Sequence, residues 1–146
     1  MKERASPMQR LEAAMDHFRR AIEVKQDDAG TYASVADAYS LRAEWKLRSG
    51  QSPASDVSDG LSAAARAISA NRRPWDALAA SGALHLVQAQ IERGLAHRTG
   101  EVQLAQEELQ KAVDKSRFLH PRYRELLAEA RQLMDTVGQA AGKRPR

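Results

Sequence analysis

Gly60-Leu61-Ser62-Ala63-Ala64-Ala65-Arg66-Ala67-Ile68 decides the fold of this 146-residue chain, because its pattern of small residues occurs three times. The stretch reads Gly60-x3-Ala64-x2-Ala67-Ile68, and it is matched by Ala14-x3-Phe18-x2-Ala21-Ile22 before it and Ala105-x3-Leu109-x2-Ala112-Val113 after it. Ala21, Ala67 and Ala112 stand 46 and 45 residues apart, so the period marks a repeated supersecondary unit. Small side chains recur where two helices must touch.

The segments between these copies superpose in the same register, as Tyr32-x2-Val35-Ala36-x2-Tyr39, Leu78-x2-Ser81-Gly82-x2-His85 and Tyr123-x2-Leu126-Leu127-x2-Ala130. Apolar residues at i, i+3, i+4 and i+7 in every long segment make each of them an amphipathic helix. Breakers and caps divide the chain into six such helices, at residues 8–25, 31–48, 55 or 56–70, 74–94, 101–116 and 121–137. Pro74 and Pro121 stand at helix starts, where a proline has no hydrogen bond to lose. Ser55 or Asp56 is the expected cap of the third helix, and Thr99-Gly100 closes the segment behind the fourth. Residues 1–7 then form a flexible N-terminus and 138–146 a disordered basic tail, so the repeat domain covers 8–137. The fold class is all-α.

Composition narrows the chemistry. Aromatic residues make up 5% of the chain and alanine is abundant, so the core is built by close approach of helices instead of large rings. No cysteine is present, which removes disulfides, thiolate metal sites and cysteine nucleophiles. No stretch approaches the apolar length of a membrane span and no signal peptide is visible, so the expected location is cytoplasmic. The net charge of +4 sits at the two ends, leaving residues 5–142 neutral. A polyanion-binding face needs its charge clustered on the fold, and here it is not.

The register resembles the tetratricopeptide repeat, which places tryptophan, leucine-glycine and tyrosine on its first helix and alanine and phenylalanine on its second. The resemblance implies a short right-handed α-solenoid of six antiparallel helices in three helix-turn-helix pairs. This repeat is longer than the usual ~34 residues, and Gln26, Arg72 and Arg117 replace the customary terminal proline. Glu44-Trp45, Gly50-Gln51-Ser52-Pro53, Gly60-Leu61 and Ala67-Ile68-Ser69-Ala70-Asn71 resemble the elongated repeats in C-terminal regions of bacterial serine/threonine protein kinases. The kinase signatures themselves are missing: no glycine-rich loop, no H-R-D and no D-F-G. The chain starts on a second-type helix and ends on a first-type one, as the end of a longer array would.

Residues with chemical potential read as structural. His17, His85, His97 and His120 have no partner at metal-ligand spacing, so packing or capping accounts for them and no metal or cofactor is expected. Asp27-Asp28 and Glu107-Glu108 point in different directions on a helix and suit caps or solvated faces. No G-x-S-x-G elbow exists, so the chain is read as non-catalytic. Trp45 falls on a Leu41/Trp45 stripe and is assigned to the core, whereas Trp75 divides evenly between core and surface.

The resemblance implies a protein-interaction or scaffold module. Its inner groove, carried over position by position, is lined by Ala33, Asp37, Ser40, Ala79, Ala83, Leu86, Arg124, Ala128 and Arg131. Mostly small residues on an open surface leave room for an inserted partner helix or apolar peptide. The exposed ends of the array could also drive self-association. A second reading, from a different class, is an accessory protein that binds nucleic acid or an anionic surface through its basic termini.

Overall fold

The computed structural model describes residues 5–142. These form six helices and no strand: α1 (Pro7–Val24), α2 (Ala29–Arg48), α3 (Ala54–Ala70), α4 (Trp75–Ile91), α5 (Leu95–Lys115) and α6 (Arg122–Gly142). Ser6 starts α1 with a reciprocal cap. Its hydroxyl accepts from the Gln9 amide at 3.2 Å, and the Gln9 side chain accepts from the Ser6 amide at 2.8 Å, with Pro7 at the first helical position. Gly50, at φ +71°, turns the chain out of α2 in the left-handed conformation glycine adopts without strain.

Helix α2 begins at Ala29, two residues before the sequence expectation, α4 ends at Ile91, three before it, and three further boundaries differ for identifiable reasons. Helix α5 begins at Leu95 and runs through Thr99-Gly100, where the sequence suggests a stop. The Thr99 hydroxyl is satisfied by the Leu95 carbonyl at 2.7 Å, and a side chain at Gly100 would meet open space, so this glycine lies on a solvent face and costs only helix propensity. Helix α6 likewise passes Gly138 and reaches Gly142, five residues into the stretch read as a disordered tail. Val137 is its last buried residue. Finally, Pro53 occupies the cap position of α3, and Asp56 is not a cap at all.

Helix α4 is the hub: α2, α3, α5 and α6 all pack on it. Eleven of its seventeen residues are buried, the signature of a helix with no water-facing side. Close approach makes this arrangement possible. A Cβ on Gly60 would sit 2.7 Å from Leu84 Cδ1 and 2.8 Å from Tyr39 Cβ, and one on Gly82 would sit 2.8 Å from Leu109 Cγ and 3.2 Å from the Ala105 carbonyl. Burial follows the repeat register: Tyr32, Leu78 and Tyr123 are buried, and so are Ala36, Gly82 and Leu127 four residues on. Ala67 and Ala112 are buried too. The corresponding Ala21 is exposed, because α1 packs on α2 and on no other helix.

A polar clamp joins α2 to α3. Asp56, only 1% exposed, receives the Arg42 guanidinium at 2.6 Å and the Lys46 ammonium at 2.8 Å. Burial opposes the carboxylate charge, but these two cations outweigh it and hold Asp56 below the ordinary aspartate range.

Two predictions follow from this packing. Gly82→Ala gains helix propensity, yet its new methyl meets a backbone carbonyl, so it and Ala112→Leu should each cost about 1–3 kcal/mol. Neutral behaviour of both in a urea titration rejects the repeat register. For Asp56, the folded pKa is depressed, so its stabilisation is complete above the unfolded value near ~4 and lost as pH falls through the folded one. Asp56→Asn should therefore cost about 3 kcal/mol at neutral pH and flatten the acid limb of a stability–pH curve. An unchanged acid limb contradicts the clamp.

Candidate functional site

Helices α2 and α6 do not pack directly on each other, and Arg122, the first residue of α6, spans the space between them. Its Nη2 donates to Asp37 Oδ1 at 2.6 Å and to Ser40 Oγ at 2.7 Å, while Nη1 donates to Glu44 Oε1 at 2.8 Å. Ser40 in turn donates to the Asp37 carbonyl at 2.7 Å. The next residue, Tyr123, is buried, donates its hydroxyl to Asp37 and lies with its ring 4.5 Å beneath the Arg122 guanidinium.

The Arg122 and Glu44 side chains are each 16% exposed, whereas that of Asp37 is 42% exposed, so the network is withdrawn from water on its Glu44 side and open on its Asp37 side. Burial acts to lower the guanidinium pKa, but Tyr123, Asp37 and Glu44 prevail and hold it above its ordinary value. Burial, aided by the Asp37 carboxylate, pushes the Tyr123 phenol upward. Burial also lifts the Glu44 carboxyl, an effect Arg122 partly offsets.

This network divides the space between α2, α4 and α6 in two. One cavity, of about 470 Å³, opens where α2, α4 and α6 begin, and Leu11 and Phe18 of α1 wall it opposite His120 and Tyr123. The other, of about 500 Å³, has Ala83, Leu86 and Val87 of α4 as its floor. Leu41, Glu44, Leu47 and Arg48 form its α2 wall, and Arg122, Glu125, Leu126 and Glu129 its α6 wall. Leu41 borders both cavities.

The nine groove positions read from the sequence are not brought together as one open surface. Ala33 and Asp37 line the first cavity, and Asp37 is already engaged by Arg122 and Tyr123. Ser40 is buried under the same arginine. Ala79 is fully buried, while Ala83 and Leu86 reach the second cavity with 1% of their surface exposed. An arginine at Ala79 or Ala83 would thus enter the core, contrary to the expectation of an open surface. Arg124, Ala128 and Arg131 are exposed but border neither cavity, and Arg131 bonds to Gln110 of α5. The reason is rotational: Tyr123, Leu127 and Ala130 face the core, which turns Arg122, Glu125, Leu126 and Glu129 toward the cleft.

Other sequence expectations meet mixed outcomes. Trp45 is 41% exposed and so is not a core residue, whereas Trp75 packs on the buried cluster of α4, α5 and α6. His120 accepts from the Arg122 amide at 3.2 Å, as a cap does. His85 lies at the α4–α5 seam, 2.6 Å from Glu101 and 3.9 Å from Glu108, and burial raises the Glu108 carboxyl. Among the described residues no cluster of three or more histidine, aspartate or glutamate side chains is placed to hold a metal, and no helix is long and apolar enough to cross a membrane. The basic termini on which the anionic-surface reading rests, at residues 1–4 and 143–146, lie outside the described residues.

No family model, curated protein or solved structure matches this chain.

Arg122→Met should strand the buried Glu44, and the half-exposed Asp37 to a lesser degree, and cost about 1–3 kcal/mol in urea denaturation. Arg122→Lys should recover only part of that, since one ammonium cannot imitate the guanidinium fork. Equal stability of Arg122→Met and the parent protein contradicts the bridging role.

Proposed function

We propose that the chain is a non-catalytic protein-binding module, a right-handed solenoid of three tetratricopeptide-like helix pairs that holds a partner segment in the cleft over α4. The observation that carries this reading is the periodic burial: Tyr32/Ala36, Leu78/Gly82 and Tyr123/Leu127, which superpose in sequence, are all buried, as are Gly60/Ala64/Ala67 and Ala105/Leu109/Ala112, with only the α1 copy left partly open. Such arrays expose an extended surface along one side, which suits capture of a helix or an extended peptide. In this chain the cleft with Leu41, Leu47 and Leu126 on its walls offers apolar contact, and Glu125 and Glu129 give it a polar rim. The elongated repeat supports a parent among bacterial signalling kinases and a cytoplasmic setting.

The test begins with co-purification from the native source, identification of bound proteins by mass spectrometry, and calorimetry with the recovered partner. Leu41→Arg adds a charge at a half-exposed position bordering both cavities, so the fold should persist while affinity falls about tenfold or more. His97→Ala, on an exposed residue outside the cleft, should leave affinity unchanged. A partner that binds folded Leu41→Arg as tightly as the parent protein uses another face.

A further inference from the structure

Arg98 lies in the first turn of α5 and is partly buried. Its Nε is buried and makes no hydrogen bond, and the side chain joins no ion pair among the described residues. A buried donor left unpaired costs free energy, and a further partner that completes its hydrogen bonding removes that cost. Arg98 borders a cavity of about 520 Å³ between α4, α5 and α6, together with Gln90, Glu129, Gln132, Leu133 and Thr136. Gln90 and Glu129 also line the cleft over Leu86, so the two spaces adjoin. The combined trough runs from an apolar floor to an unpaired cation.

The α6 wall of the trough carries the opposite charge. Glu125 and Glu129 stand one turn apart, and among the described residues Glu129 has only the neutral Gln90 amide, at 3.1 Å, as a hydrogen-bond partner. A segment lying here would meet an apolar floor with Glu44 and Arg48 on the α2 side, then the two carboxylates of α6, and finally a guanidinium whose flat fork matches a carboxylate.

We infer that Arg98 is the anchor for an acidic side chain on a bound amphipathic partner segment, whose basic residues run along Glu125 and Glu129. This rests on the protein-binding reading above and adds the partner's charge order and its orientation in the trough. Small apolar peptides without an acid would fill the floor but leave Arg98 unpaired.

The experiment uses the full chain as bait for a library of random linear peptides, followed by calorimetry with a synthetic copy of the strongest selected sequence. Selected peptides should combine apolar residues at helical spacing with lysine or arginine on one side and an acid near one end. Arg98→Gln should weaken the peptide about tenfold, and changing the peptide's acid to its amide should weaken it equally, with no further loss when both changes are combined. Arg98→Met should melt at the same temperature as the parent protein or above it, because an unpaired buried donor has been removed. Selection of no peptide, selection of peptides without the acid, additive losses, or a lowered melting temperature in Arg98→Met each overturn the anchor. The two readings separate cleanly: loss with Leu41→Arg but not with Arg98→Gln keeps the cleft and removes the anchor, whereas indifference to Leu41→Arg removes the cleft.

Discussion

Everything in this fold depends on four helices being able to reach α4. A helix of ordinary leucines could not be surrounded at such short range, since interaxial distance is set by the side chains at the contact. Ala77, Ala79, Ala80, Gly82, Ala83 and Ala89 solve this by giving α4 a thin profile, and Leu78, Leu84, Leu86 and Val87 fill the remaining gaps. The same thinness explains the site. Once α4 is enclosed, its small residues become floor and core, and the side chains that any partner meets belong to the helices on either side.

The polar groups follow from the same geometry. Two layers of helix stand off across α4, and the space between them is bridged by an arginine long enough to span it and forked enough to bond three acceptors. Asp56 performs the equivalent task between α2 and α3. Both are charges that are stable only because their partners are in place, so they specify one arrangement of helices more than they add to its stability.

The sequence shows why some of this was legible. Apolar periodicity and the thrice-repeated small residues lead directly to six helices and to the buried Ala67, Ala112 and Gly82. Helix ends were less legible, since Gly100 and Gly138 look like stops and the helices pass through both on solvent faces. The groove positions are dispersed for a geometric reason. All three helices bury the same register face, at Tyr32, Leu78 and Tyr123, but α2 and α6 form different walls of the cleft and so turn different stripes to it, 41, 44 and 47 on α2 and 122, 125, 126 and 129 on α6. The α6 stripe is visible in retrospect as Arg122, Glu125, Leu126 and Glu129, a spacing of three, four and seven. Nothing local could have paired Arg122 with Asp37, 85 residues away. Trp45 failed for a related reason, because a stripe shared with Leu41 fixes only a common face, and that face is half open.

The Arg122 bridge also changes how the chain should come apart. A repeat array whose units touch only their neighbours behaves as a one-dimensional chain, and it can unzip from an end. Here the bonds from Arg122 to Asp37, Ser40 and Glu44 tie α6 to α2 across 78 to 85 residues. Opening α6 therefore releases contacts on α2 as well, which couples α2 through α6 into one cooperative unit and leaves α1, with its single neighbour, as the segment free to fray by itself.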